Sequence, residues 1–215
     1  RTLHRLHPDD ERRDGAMTPT GTTFADKPTL TGERVILRPM EAADAGPMYS
    51  SLDDEEAQRL TGTHQEFTRE QIEAWCASRR EADDRLDLSI IDRASGEWVG
   101  EVVINDWDPD NHSCNFRIAI GPNGRNRGLG SEATRMIVDY VFEHLPINRI
   151  GLGVFAFNPR AIHVYERAGF VREGVTRAAL YWDGQYHDAI QMSILRDEWL
   201  ERRGAEPQAC LPISS

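Results

Sequence analysis

From about position 35 onward, apolar residues recur either every second position or at helical spacing, and each pattern predicts one element. Val35 to Leu37 reads as a strand that gives way to a helical stretch from about Ala42, entered through "EAADA". In "TREQIEAWCASRREADD", Thr68 and Gln71 have capping-box spacing and Ile72, Trp75 and Cys76 recur helically, so a second helix is expected. Three strands follow at 86–92, 97–106 and 113–120, joined through "RASG" and "DPDNH" as a meander of antiparallel hairpins. Beyond a glycine-rich turn, Ala133, Met136, Ile137, Tyr140, Val141 and His144 form the stripe of a helix that should pack on the sheet. "RIGLGVFAFN" reads as a buried strand, and "PRAIHVYERAGF" as a short helix with Pro159 in its first turn and Gly169 past its end. "VREGVTRAAL" and "QYHDAIQMSIL" make a hairpin about Asp183-Gly184, and "RDEWLERR" adds a short helix.

These elements leave residues 1–29, polar and without an apolar period, as a flexible arm. Residues 30–203 form one domain and 204–215 a tail, and no internal repeat is present. A length of 215 residues with 39% hydrophobic content agrees with a single sizeable core. The net charge of −11 argues against a nucleic-acid partner, which needs a basic face, and fits a cationic or small neutral one. Cys76, Cys114 and Cys210 are odd in number and widely spaced, with neither a disulfide framework nor zinc-ligand spacing, so reduced thiols in a cytoplasmic protein and no metal are expected. No apolar run reaches the roughly 18 to 20 residues of a membrane span, so no membrane partner is expected. Met17 is a candidate native start.

The candidate chemistry begins in "RNRGLGSEATRMIVDY", residues 125–140, where glycines and arginines precede a helix. Helix-terminal amides around Leu129 to Ala133 suit a phosphate, with Arg125, Arg127 and Arg135 adding charge. Gly128 to Ala133 spells the dinucleotide pattern G-x-G-x-x-A, but seven residues separate Ile120 from Gly128. The next strand ends in Phe157-Asn158, without the acid that should hold a ribose about 20 positions on. A P-loop would need a lysine and a hydroxyl residue after its last glycine, and neither is present. A bare glycine turn with solvated arginines is the unspecific reading.

Taken with "NPRAIHVYERAGF", the stretch resembles the GNAT superfamily of acyl-CoA-dependent N-acyltransferases. Arg125, Gly128 and Gly130 fit its R/Q-x-x-G-x-G/A motif, and Asn158, Ala161, Tyr165, Gly169 and Phe170 fit its second motif. The closing "EGVTRAALYWDGQYHDAIQMSILRDEW" and the opening "LTGERVILRPMEAADA" resemble the branch of ribosomal-protein alanine N-acetyltransferases and spermidine acetyltransferases. The resemblance implies an α/β (α+β) fold, a mixed, mostly antiparallel sheet of about six to seven strands flanked by about four helices. It implies that Arg125, Asn126, Arg127, Gly128, Leu129, Gly130 and Ser131 hold the pyrophosphate of acetyl-CoA, and that Ile118, Ala119 and Ile120 pair with the pantetheine arm. Asn158 would bond that arm and Tyr165 would face the sulfur as a proton donor.

The acceptor is then a small-molecule or peptide amine: a protein N-terminus, a polyamine or another cationic amine. Asn115 stands where this branch often carries a glutamate base, so Glu101 on the neighbouring strand is the substitute, with Asp106 and Asp108 behind it. Trp107, Tyr181, Trp182, Tyr186 and Asp183 are candidates for the acceptor pocket, while His163 and His187 read as structural. A non-catalytic acyl-CoA sensor and a nicotinamide oxidoreductase are the rival classes, and the oligomeric state, a homodimer included, is open.

Overall fold

In the computed structural model, which describes residues 23–205, the Val35 and Leu37 alternation forms β2 (Val35–Pro39), flanked by the two-residue β1 (Leu30–Thr31). A 3-10 turn (Ala42–Asp44) leads into α1 (Ala45–Leu52), followed by α2 (Glu55–Thr61) and α3 (Arg69–Ser78). The Thr68 and Gln71 capping box is formed in both directions. Then come β3 (Leu86–Asp92), β4 (Trp98–Asp108), β5 (Ser113–Ile120) and the long α4 (Leu129–His144). The chain closes with β6 (Arg149–Phe155), α5 (Pro159–Ala168), β7 (Val171–Trp182), β8 (Gln185–Leu195) and α6 (Arg196–Ala205).

All eight strands share one sheet in the order β1-β2-β3-β4-β5-β6-β8-β7, antiparallel at every junction except the parallel β5–β6 pair. Two elements exceed the expectation because their sequences carry no period. β1 is the dipeptide Leu30-Thr31, too short to alternate, and α2 lies in the charged "DDEEAQRLT", where burial reaches no residue fully. Asp54 caps α2 by accepting from the Ala57 amide at 3.0 Å, and Gly62 ends it at φ 67°.

Cross-strand partners project to the same face, so Leu37, Ile90, Val102, Ile118, Ile104 and Phe116 share one side by register. Ala133, Ile137, Tyr140 and Val141 of α4 join these residues in the main core. His144, the last position of the predicted stripe, stays exposed, whereas Val138 and Phe142 are buried as well. At the C-terminal end of α4 the Arg196 guanidinium donates to the carbonyls of Phe142, Leu145 and Ile147, satisfying groups that a helix end leaves open.

The opposite face is covered by α1 and α3 over a smaller cluster of Met40, Ala45, Met48, Ile72 and Cys76. It is also more polar: Arg38 holds Asp44 through bonds of 2.8 and 2.6 Å, Ser89 donates to Asp44 at 2.7 Å, and Arg85 grips Asp87 at 2.7 Å. Cys76 and Cys114 are buried and free, while Cys210 lies outside the described residues. Phe24, inside the segment read as an arm, is buried with its ring centroid 4.9 Å from that of Trp107. A lone aromatic in a polar stretch has no periodic neighbours to announce it, and residues 1–22 lie outside the described chain. Among the described residues no helix is long and apolar enough to cross a membrane.

Truncating Ile137, fully buried between α4 and the sheet, should destabilise the domain by about 2–5 kcal/mol. Truncating the exposed Arg135 on the same helix should change it by less than about 0.5 kcal/mol. Denaturant unfolding of Ile137→Ala and Arg135→Ala checks the contrast.

Candidate active site

β5 and β6 pair only through Ser113–Arg149, Cys114–Ile150 and Asn115–Gly151. Past that point β5 keeps its partner β4 and β6 keeps β8, so a gap opens between them. The Gly121 amide donates to the Val99 carbonyl at 2.8 Å. Hydrogen-bonded pairs alternate along an antiparallel ladder, so Ala119 and Arg117 also turn their peptide groups toward β4. Phe116, Ile118 and Ile120 therefore direct theirs into the gap. Of the three residues expected to pair with a ligand arm, Ile118 and Ile120 present backbone groups there and Ala119 does not.

At the mouth of the gap the chain makes a 3-10 turn (Pro122–Gly124) and passes Asn126 at φ 59° and Gly128 at φ 77° before α4 begins. No side chain caps α4. The first turn of such a helix has free amides and a positive dipole end, here at Leu129, Gly130 and Ser131. Glu132 does not oppose an anion freely: its carboxylate accepts from the Glu33 and Arg34 amides. At Gly130 an added Cβ would meet Ile120 Cγ1 at 3.2 Å, so this glycine lets the helix start close against β5.

The arginines around the turn are engaged. Arg125, with a side chain only 10% exposed, pairs with Asp54 and Glu56 of α2 and donates to the Ile120 carbonyl at 3.2 Å. Arg127 pairs with Asp92 at 2.6 Å. Asn126 accepts from Arg160 at 3.3 Å. The motif spacing that singled out Arg125 said nothing of these carboxylates; the run Asp53-Asp54-Glu55-Glu56 ahead of a glycine was the available signal.

Glu101 and Tyr165 lie on opposite faces of the sheet, Glu101 on β4 one strand from the gap and Tyr165 against Phe116 of β5. Glu101 registers with Ser89 and Ala119, on the polar face beneath α1 and α3. Burial pushes its carboxyl up to about 7, against the pull of Arg117, whose guanidinium is 4.0 Å away. Its Oε2 is buried without a hydrogen-bond partner. Tyr165, on α5, lies edge-on to Phe116 with centroids 5.8 Å apart, and burial pushes its phenol up to about 12. Asn158 uses its side-chain oxygen to cap α5, accepting from the Ala161 amide at 3.1 Å. Asn115 donates to Asn105 at 3.2 Å.

The aromatic and acidic candidates separate. Trp107 packs on Phe24 and Asp108 bonds Asn111 at the far end of β4, with Asp106 exposed nearby. Tyr181 and Tyr186 pack against each other at a tilt of 50°, exposed, near the hairpin tip. Trp182 and Asp183 instead line a cleft of about 670 Å³ with Glu55, Glu56 and Arg59 of α2 and Phe157 to Arg160. His64 stacks on Trp182, His187 lies edge-on to Phe157, and His163 is exposed. Among the described residues no group of acids, histidines or cysteines is arranged to hold a metal.

Residues 34–171 match the family described as Acetyltransferase (GNAT) domain. The chain is 25% identical over 169 residues to the SPbeta prophage-derived uncharacterized N-acetyltransferase YokL of Bacillus subtilis, covering 79% of this chain and 94% of that one. It is 31% identical over 113 residues to the spermidine N(1)-acetyltransferase of Vibrio cholerae, 53% of this chain and 65% of the relative. The crystal structure of a Vibrio cholerae spermidine N-acetyltransferase, solved with CoA and spermine, has the same fold, with a TM-score of 0.73 at 23% identity over 79% of this chain and 99% of that one.

A carboxyl with a raised folded pKa holds its proton where the unfolded chain has lost it, so stability falls as pH climbs from about 4.5 through about 7. Glu101→Gln should therefore stabilise the protein more at about pH 8 than at about pH 4. Thermal melts of both proteins across that range read the sign.

Proposed function

The chain belongs to the acetyltransferase (GNAT) family, and we propose that it transfers the acetyl group of acetyl-CoA directly to a primary amine. The observation that carries this reading is the β5–β6 gap, with a glycine-entered helix at its mouth and Glu101 and Tyr165 on either face. The Gly128 to Ser131 amides would receive the diphosphate at the helix end, with Arg125 to Arg127 alongside. Peptide groups of Ile118 and Ile120 would bond the pantetheine arm as an added strand would. An amide of β5 facing the gap would polarise the thioester carbonyl.

The amine must reach the carbonyl unprotonated, and a carboxyl near 7 divides its time between both states at neutral pH, as a general base requires. Glu101 would take the ammonium proton before the nitrogen attacks, and the proton that the nitrogen sheds once the carbon–nitrogen bond has formed would pass to solvent. As the carbon–sulfur bond breaks, Tyr165 would give its proton to the departing thiolate and be reprotonated by the solvent. A phenol near 12 is fully protonated before that moment. An acyl-enzyme is disfavoured because Cys76 and Cys114 are buried with thiols pushed up to about 11 and about 12. Support for a cationic acceptor comes from the net charge of −11, from the acids Glu55 and Asp183 in the cleft, and from the spermidine acetyltransferases among the relatives. A peptide N-terminus remains within the same class.

Incubation with acetyl-CoA and a panel of polyamines and N-terminal peptides, read by mass spectrometry, should yield an acetylated amine and free CoA. No product with any amine would refute the catalytic reading. Tyr165→Phe should lower kcat by roughly a hundredfold or more with CoA affinity unchanged. Glu101→Gln should remove the acid limb of the kcat/KM profile near pH 7; a limb that persists would exclude Glu101 as the base.

A further inference from the structure

Glu56 of α2 stands between the two places where substrates would enter. Its Oε2 accepts from Arg125 at 2.6 Å and its Oε1 from Arg160 at 3.3 Å, so one carboxylate ties α2 both to the turn ahead of α4 and to the start of α5. Asp54 holds the other terminal nitrogen of Arg125 while capping α2. Glu56 also lines the cleft, where the three acids Glu55, Glu56 and Asp183 outnumber the two arginines Arg59 and Arg160 beside Phe157 and Trp182.

The two carboxylates are not held alike. Arg125 and Asp54 have side chains 10% and 23% exposed, whereas Glu56 and Arg160 are 54% and 44% exposed. Exposed pairs are weakly bound. A diphosphate offers guanidinium groups more charge and more acceptor oxygens than one carboxylate does, so it would displace Glu56 and leave Asp54 as the anchor.

We propose that Glu56 is an exchange residue that couples binding of the donor to binding of the acceptor, a step that rests on the coenzyme reading of the Arg125–Ser131 turn. In the free protein Glu56 neutralises Arg125 and Arg160. When the donor diphosphate takes those arginines, the carboxylate turns into the cleft and joins Glu55 and Asp183 around an ammonium group. The acceptor class is thereby a cationic amine, and the order is donor first. Because coupling is reciprocal, each ligand raises the affinity of the other.

Calorimetry on the full chain with CoA, inorganic pyrophosphate and spermine as probes tests this. Saturating CoA should raise spermine affinity by about 5–10-fold, with pyrophosphate acting in the same direction. Glu56→Gln should bind CoA more tightly and lose the coupling. Asp54→Asn, which keeps a capping side chain, should retain it, and thermal melts establish that both variants are folded. Coupling that survives in Glu56→Gln, or CoA affinity that fails to rise there, overturns the exchange while leaving the transferase reading intact. Absence of CoA binding to the wild-type protein would instead remove that reading itself, and the exchange with it.

Discussion

The parallel ladder between β5 and β6 ends after Asn115 and Gly151, and the rest of the site depends on that ending. Each strand is held on its other side by a longer antiparallel partner, β4 for β5 and β8 for β6. With those partners fixed, the two inner strands follow separate halves of the sheet as it twists. Backbone groups that face a gap need partners; the Ile120 carbonyl has one in Arg125, which leaves the Ile118 peptide groups and the Ile120 amide directed into the gap. The helix that crosses from β5 to β6 begins beside the same gap, which puts anion-binding amides at its mouth without any further construction.

Most of this arrangement was legible in the chain. Strand and helix order followed from hydrophobic period, and Gly128 and Gly169, both at positive φ, with Pro159 in the first turn of α5, marked the ends of α4 and α5. The side-chain oxygen of Asn158 also has a structural use, capping α5, which its place in the motif did not announce. α2 escaped notice because a helix of charged residues with no fully buried position has no stripe to read. The acids it brings to Arg125 stand out as a run, but pairing across roughly seventy positions gives that run no local sign of its partner. The same limit applies to Trp107 and Tyr181, whose types suited a binding pocket but whose surroundings, Phe24 and Tyr186, could only be seen in the fold.

The distribution of charge on the polar face sets Glu101 apart from the other acids there. Asp44 is matched by Arg38 and Ser89, and Asp87 by Arg85, each through short hydrogen bonds. Against the effect of burial, the Arg38 and Ser89 hydrogen bonds hold the Asp44 carboxyl below the usual carboxylate range, which makes it a poor base. Glu101 shares the face of both acids, with 14% of its side chain exposed, yet its ion-pair partner Arg117 stands at 4.0 Å and one buried oxygen has no partner. Burial without compensation raises the proton affinity of a carboxylate. An arginine placed closer would have stabilised Glu101 as a charged group and removed its capacity to accept a proton at neutral pH. The distance to Arg117 is therefore what separates Glu101 from the structural ion pairs on the same face, one strand away from the gap.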